Sequence, residues 1–261
     1  MKTAFRLLSN QSAFGRLGVR RSLSLQTNSY LYKETEADKM FLIGDLPQTV
    51  VTLTVWSYWG SVCALMVRSH IRFRTSAGGL PHTARERWMW AIWVPAIVMW
   101  QVFPAVAGSV TGGVFGTPLI ALENPVLWTA RVVAAGIAVT AFGLTIPNWL
   151  GMGKNWSMAI VPGKETRLIT TGMFSLVRHP IYSMSILLML ATMTVTLSPA
   201  MTVVGVVHIW MLRMKAASEE RHLISVHGKT YADYCDRTGR FAPKLHASKS
   251  SAGDPPRREA A

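Results

Sequence analysis

Cysteine is scarce in this chain, whose 261 residues include two, Cys63 and Cys235. The first lies in an apolar segment and the second in a basic region, so they indicate neither a disulfide framework nor a zinc site. Acidic residues are also few, 13 against 27 Lys and Arg, which gives a formal net charge of +14. Charged residues of either sign are missing from four long segments, 46–67, 88–122, 132–153 and 181–212.

These uncharged segments predict an all-α integral membrane protein. Half of the residues are hydrophobic and the mean hydropathy is +0.26, which is too apolar for a soluble protein of this size. A spanning helix needs about 20 apolar residues, and 181–212 is long enough for two, with Ser198-Pro199 supplying a turn. The pattern predicts about five transmembrane helices, near 48–68, 88–109, 126–148, 181–197 and 200–216.

The positive charge is unevenly distributed between the predicted loops. The second loop contains Glu123 and no Lys or Arg before Arg131. By the positive-inside rule, the first and third loops and the C-terminus share the inner face. Orientation accounts for most of these charges, and without a soluble basic domain they do not indicate nucleic-acid binding. The basic residues of the inner face include Arg68, Arg72, Arg74, Arg85, Arg87, Lys154, Lys164, Arg167, Arg178, Arg213 and Lys215.

The two ends of the chain differ in composition from its middle. Residues 1–32 are rich in Arg and Ser and contain no acid, which is typical of a mitochondrial or plastid transit peptide. The alternative is a basic cytosolic extension. Residues 247–261 predict a disordered tail. Between them we assign 33–124 to an N-terminal segment with two transmembrane helices and 125–246 to a second membrane region.

A polar turn precedes the fourth predicted span. Pro180 suits the first turn of a helix, where its missing N–H costs nothing, so His179 falls at the cap and Arg178 just outside it. His179 and Tyr182 can then face one pocket at the level of the lipid headgroups. Taken alone, such a turn is also explained as a membrane anchor and helix cap.

A polar stripe follows the fifth predicted span. His208, Lys215, Glu219 and His222 recur at intervals of seven, four and three residues, which places them on one face of a helix that leaves the membrane. Each residue singly can belong to a solvated ion pair or to helix packing. Together with the turn at His179, they indicate a site at the membrane surface.

The order and spacing of these motifs resemble the isoprenylcysteine carboxyl methyltransferase family and its phospholipid methyltransferase relatives. The resemblance covers about residues 125–243, and its motifs are Gly153-Lys154-Asn155-Trp156-Ser157, Leu168-Ile169-Thr170-Thr171-Gly172, Arg178-His179-Pro180-Ile181-Tyr182, Glu219-Glu220 with Leu223, and Gly228, Tyr231 and Tyr234. It implies a membrane enzyme that binds S-adenosyl-L-methionine through its C-terminal helices and methylates a lipid or lipidated substrate, such as a prenylcysteine carboxylate.

The resemblance also implies which residues contact each ligand. The cofactor contacts would be Thr166, Arg167, Leu168, Ile169, Phe174, His179, Pro180, Ile181, Tyr182 and Glu219. Lys215 would contact the substrate, at a position where the family has arginine. No catalytic residue is assigned with certainty and no metal is expected. For an amine acceptor, His208 or His222 would be the nearest base.

Two departures from the family leave other functions open. Lys215 keeps the charge of arginine but loses its planar fork, and Met184 stands where the family often has glycine. The alternatives are a phospholipid amine N-methyltransferase, a reductase of the steroid-reductase type that uses NADPH, and a non-catalytic membrane subunit of an organellar complex. The transit-like N-terminus favours a mitochondrial membrane, with the endoplasmic reticulum as the alternative; protein partners are not indicated.

Overall fold

The computed structural model describes residues 45–73, 84–153, 156 and 168–244. The expectations for a transit peptide and for a disordered tail lie outside these residues, as do Thr166 and Arg167. The helices of the described chain are α1 (Leu46–Phe73), α2 (Ala84–Ser109), α3 (Leu119–Glu123), α4 (Pro125–Met152), a 3-10 helix (Gly172–Ser175), α5 (Pro180–Thr196), α6 (Pro199–His227) and α7 (Lys229–Arg237).

The helices confirm an all-α integral membrane protein. Four of those described, α1, α2, α4 and α6, are long and apolar enough to cross a membrane, and α5 is a shorter apolar helix of 17 residues. Each predicted span falls on one of these five helices. The predicted count of five is therefore approximate, because α5 is shorter than the usual length of a spanning helix.

Polar side chains cap the N-termini of two of the long helices. The Asn124 side chain accepts hydrogen bonds from the backbone N–H groups of Val126 (2.9 Å) and Leu127 (3.2 Å) at the start of α4. Ser198 Oγ accepts from the N–H of Met201 at 3.1 Å and caps α6, whose first residue is proline. The turn predicted at Ser198-Pro199 is confirmed.

The helices α4 and α5 pack together more extensively than any other helix pair of the described chain. Four alanines of α4 are buried there or against its neighbours, and small side chains allow membrane helices to approach closely. They are Ala134, Ala135, Ala138 and Ala141. Arg131, also buried in α4, donates through Nε to the carbonyl oxygen of Val195 in the last turn of α5 at 2.7 Å.

Hydrogen bonds between distant helices bring α2 against α5 and α6. Trp100 Nε1 donates to Thr192 Oγ1 at 3.2 Å, and Trp93 Nε1 donates to His208 Nδ1 at 3.1 Å. The other ring nitrogen of His208 lies 3.1 Å from Ser185 Oγ. Trp93 of α2 thus lies beside α6 and, through His208, close to the start of α5, whereas Trp100 lies beside the later turns of α5.

Candidate active site at the start of α5

The predicted cap of α5 is present. His179 is its N-cap residue and Pro180 lies in its first turn. The 3-10 helix that precedes this turn begins at Gly172, whose φ of +64° favours glycine. Asn148 of α4 donates to Met173 Sδ at 3.0 Å, so the segment before the cap is tied to the membrane helices.

Glu220 of α6 binds three cationic or imidazole side chains. Its carboxylate accepts from Arg178 Nε at 2.9 Å and from Arg240 Nε at 3.0 and 3.1 Å. His179 Nε2 lies 3.3 Å from the same carboxylate. The Glu220 side chain is 9% exposed. These hydrogen bonds raise the pKa of the Arg240 guanidinium above its ordinary value. Glu220 therefore has a structural role, joining α6 to the turn and to the C-terminal segment.

The segment after α7 packs against the turn at the start of α5. The backbone N–H of Arg178 donates to the Gly239 carbonyl at 2.8 Å, and that of His179 donates to the Arg240 carbonyl at 3.2 Å. Arg178 Nη1 also donates to the carbonyl oxygens of Cys235, at 3.0 Å, and Thr238. The segment after α7 thus holds the backbone of Arg178 and of the His179 cap.

Glu219, the neighbour of Glu220, points to a different environment. Its Oε1 accepts from the Tyr182 hydroxyl at 2.5 Å, and its Oε2 lies 3.6 Å from His179 Nδ1. The rings of His179 and Tyr182 are stacked, with centroids 5.3 Å apart. The Glu219 side chain is 24% exposed, and a carboxylate can accept about four hydrogen bonds. Glu219 therefore keeps acceptor capacity for a ligand.

Lys215 lies beside this carboxylate, one helical turn before it. Its ammonium group is 3.9 Å from Glu219 Oε1, 5.3 Å from the centroid of the Trp93 ring and 5.9 Å from that of Tyr182. Glu86 of α2 also acts on it electrostatically. The Lys215 side chain is 12% exposed, so Lys215 forms a largely buried positive group between α2, α5 and α6.

The tyrosines of α7 support the segment that precedes the His179 cap. Tyr234 donates from its hydroxyl to the carbonyl oxygen of Phe174 at 2.5 Å. Tyr231 and Tyr234 are both buried, and burial raises the pKa of each phenol. Phe174, a predicted cofactor contact, is therefore held through its backbone by α7.

The predicted site residues separate into three groups. His179, Pro180, Ile181, Tyr182, Glu219 and Lys215 lie together at the start of α5 and on the facing part of α6. Leu168 and Ile169 are half-buried in the segment before the 3-10 helix. His208 is buried and engaged by Trp93 and Ser185, which gives it a packing role. Met184, the second departure from the family, is also buried.

Two residues of this site could not be found from motif order. Arg240 resembles the other cations of the basic C-terminal region, and its pairing with Glu220 depends on the path of the chain after α7. Trp93 lies in α2, 115 residues before the histidine that accepts its hydrogen bond. The uncharged segment that contains Trp93 predicted a membrane helix and gave no signal for a site residue.

Among the residues that the structure describes, no group of three or more His, Cys, Asp or Glu side chains lies close enough to hold a metal ion.

Comparison with known proteins shows that part of the site lies in a region that matches a family model. Residues 134–225 match the model of the isoprenylcysteine carboxyl methyltransferase (ICMT) family. The chain is also similar to the nickel-cobalt-cadmium resistance protein NccN of Alcaligenes xylosoxydans xylosoxydans, with 28% identity over 120 residues that cover 46% of this chain and 55% of that protein.

A second relative is the cobalt-zinc-cadmium resistance protein CzcN of Cupriavidus metallidurans, with 33% identity over 96 residues that cover 36% of this chain and 44% of that protein. The chain thus spans about half the length of the curated relatives it matches. The match at 134–225 includes His179, Tyr182, Lys215 and Glu219. Residues 134–225 of the chain are thus similar to the isoprenylcysteine carboxyl methyltransferase family.

Proposed function

We propose that this protein is an S-adenosyl-L-methionine-dependent membrane methyltransferase that acts on a lipid-like acceptor. The observation that carries the proposal is the contrast between two adjacent glutamates. Glu220 is engaged by Arg178, His179 and Arg240, whereas Glu219 is partly exposed and keeps acceptor capacity. An open carboxylate beside stacked aromatic rings suits a ligand with cationic and hydroxyl groups.

The chain's own residues fit the methyl donor in charge and position. Glu219 would accept hydrogen bonds from its ammonium or hydroxyl groups, while His179 and Tyr182 would form one side of its pocket. Phe174 and the backbone of 166–169 would complete the pocket, as the family resemblance implies. When bound, S-adenosyl-L-methionine supplies a methyl group attached to a positively charged sulfur.

We favour a carboxylate as the acceptor, and hence O-methylation, of the prenylcysteine type or similar. A carboxylate is already nucleophilic near neutral pH, so the site need not supply a base. The chain would contribute orientation and exclusion of water, with the Lys215 ammonium attracting the acceptor. An amine acceptor would need proton removal, and the ring nitrogens of His208 already contact Trp93 and Ser185.

An acceptor with an apolar chain would enter from the bilayer, because the site lies at the ends of membrane helices. The composition of residues 1–32 favours a mitochondrial membrane over the endoplasmic reticulum. The names of both relatives refer to resistance to metal ions, and the proposal rests on the family match at 134–225. N-methylation of a phospholipid amine is the second candidate, and His222, one turn beyond Glu219 on α6, would then be the remaining candidate base.

Membranes that contain the protein, incubated with methyl-labelled S-adenosyl-L-methionine, test this function. We expect label to enter base-labile methyl esters in an apolar extract, and the Glu219→Gln variant to lose transfer. Glu123→Gln is the matched control, because Glu123 is the exposed last residue of α3. Label in base-stable lipid headgroups would favour the N-methyltransferase. No transfer, together with binding of NADPH, would contradict the methyltransferase assignment.

A further inference from the structure

Four side chains from α1, α2, α5 and α6 form a buried chain of hydrogen bonds beside the site. Trp93 Nε1 donates to His208 Nδ1 at 3.1 Å, and His208 Nε2 lies 3.1 Å from Ser185 Oγ. Ser185 is in turn the hydrogen-bonding partner of the Tyr58 hydroxyl. All four side chains are buried, and Tyr58 and Trp93 lie outside the family match at 134–225.

The direction of each hydrogen bond in this chain follows from its first donor. An indole N–H can only donate, so His208 accepts through Nδ1 and carries its proton on Nε2, which donates to Ser185. Within the part of the chain that the structure describes, the Ser185 hydroxyl has no carbonyl partner, unlike the hydroxyls of Ser183 and Thr192 on the same helix. The Ser185 proton is therefore directed to the oxygen of Tyr58.

The Tyr58 hydroxyl consequently keeps its own proton for another acceptor. Ser185 is the one hydrogen-bonding partner that the described residues give this hydroxyl, and Ser185 acts on it as a donor. The phenol ring is fixed by its aromatic neighbours Trp59, Trp100, Phe142 and Trp149, with centroids 5.1–6.3 Å away. A buried phenol O–H usually has a hydrogen-bond acceptor, so this fixed donor suits a ligand oxygen.

The position of Tyr58 connects this donor with the candidate site. Its partner Ser185 follows Tyr182 by three residues on α5, about 4.5 Å along the helix axis. Tyr58 and Tyr182 also interact electrostatically. Because α5 runs from Pro180 at the site into the membrane, Ser185 lies on the membrane side of Tyr182. A methyl acceptor that reaches the site from the bilayer would meet the Tyr58 hydroxyl there.

We propose that Tyr58 binds the methyl acceptor by donating its phenolic proton to an oxygen of that acceptor, such as a carboxylate oxygen. The existence of a methyl acceptor rests on the proposed function. Ser185 is a positioning residue, because it directs the phenolic proton and need not touch the acceptor. A carboxylate offers lone pairs to this proton, whereas an ammonium group offers only donors. Tyr58 thus selects an acid over an amine.

Methyl transfer from labelled S-adenosyl-L-methionine to N-acetyl-S-farnesylcysteine, by membranes that contain the full chain, tests the proposal. Tyr58→Phe removes the hydroxyl and keeps the ring. We expect it to raise the KM for this carboxylate about tenfold, the effect of losing a hydrogen bond to a charged group, and to leave the binding of S-adenosyl-L-methionine unchanged. Ser57→Ala is the matched control, because it removes a neighbouring hydroxyl at an exposed position of α1. An unchanged KM in Tyr58→Phe would overturn the proposal.

Ser185→Ala tests whether the serine acts through Tyr58. In the original protein we expect it to raise the KM by a smaller factor than Tyr58→Phe does, because the phenolic proton is present but no longer directed. In the Tyr58→Phe background it should have no further effect on the KM. If Ser185 has a merely structural role, the two effects multiply, and that result would overturn its assignment as a positioning residue.

Equilibrium binding of labelled N-acetyl-S-farnesylcysteine to the purified full chain, without cofactor, separates this proposal from the proposed function. If the original protein binds the carboxylate, Tyr58→Phe weakens binding about tenfold and no methyl group is transferred, the methyltransferase proposal fails and the role of Tyr58 in binding stands. If the original protein does not bind the carboxylate, or binds it no more tightly than Tyr58→Phe does, the role of Tyr58 is refuted.

Discussion

Replacement of Glu220 by glutamine should destabilise the protein strongly. The amide has nearly the shape of the carboxylate but no charge, so it leaves Arg178 and Arg240 without their counter-charge. Arg178 is 11% exposed and Glu220 9%, and removal of one partner from such a buried pair costs about 3–5 kcal/mol. Arg240 is 39% exposed, and solvent limits its share to at most about 1 kcal/mol.

The expected effect can be read as a melting temperature. In a domain of 150–250 residues, 1 kcal/mol shifts the midpoint by about 2–4 °C, so Glu220→Gln should lower it by roughly 6–20 °C. Arg240→Met should lower it by a few degrees at most, because its pair with Glu220 is partly solvated. The assay is thermal unfolding in detergent, followed by tryptophan fluorescence, with Glu123→Gln as the control.

Glu219→Gln provides the comparison that can refute this reasoning. Glu219 makes one close hydrogen bond, from Tyr182, and is more exposed than Glu220, so we expect a shift below about 4 °C. If Glu220→Gln shifts the midpoint no more than Glu219→Gln does, the two glutamates do not divide structural and ligand-binding roles as their contacts indicate.

Three further changes test, by the same unfolding assay, two supports of the site and one contact between α4 and the far end of α5. Gly239→Ala should lower the midpoint by several degrees, because a Cβ there would lie 1.7 Å from the Ala242 carbonyl oxygen; Gly143→Ala, where no such atom lies within 4 Å, should be neutral or stabilising. Tyr234→Phe removes the hydrogen bond to Phe174 and should cost about 1 kcal/mol. Arg131→Met removes the donor to Val195 and should cost about 1–3 kcal/mol.

Each of these expectations has a contradicting result. A neutral Gly239→Ala would mean that the segment after α7 can move away from the turn at no cost. An unchanged Tyr234→Phe would mean that water replaces the phenol at the Phe174 carbonyl, and a stabilising Arg131→Met would mean that burial of the guanidinium costs more than its hydrogen bonds return.

The membrane helices could be predicted because an uncharged run of about 20 residues has few other structures open to it. The turn between α5 and α6 followed from Ser198-Pro199, where serine caps a helix and proline begins one. The same reasoning placed His179 at the cap of α5. In these cases the residues that decide the structure are adjacent in the chain.

Part of the site was also predictable. The stripe through Lys215 and Glu219 required only that a helix continue beyond the membrane, which α6 does as far as His227. The different roles of Glu219 and Glu220 were not predictable from the sequence. Adjacent helical residues point about 100° apart, and the positions of Arg178 and Arg240 in the fold determine which of the two glutamates is buried. Trp93 was not predictable either, since its contacts with His208 and Lys215 arise from the packing of α2 against α6.

The most direct test of the central claim is equilibrium binding of labelled S-adenosyl-L-methionine to the purified protein. The account predicts saturable binding that Glu219→Gln and His179→Ala abolish, while Glu123→Gln and His70→Ala, at exposed positions of α3 and α1, leave it intact. Unfolding measurements on the same samples confirm that the variants are folded. Saturable binding that persists in folded Glu219→Gln and His179→Ala would contradict the assignment of this site, as would absence of binding to the original protein.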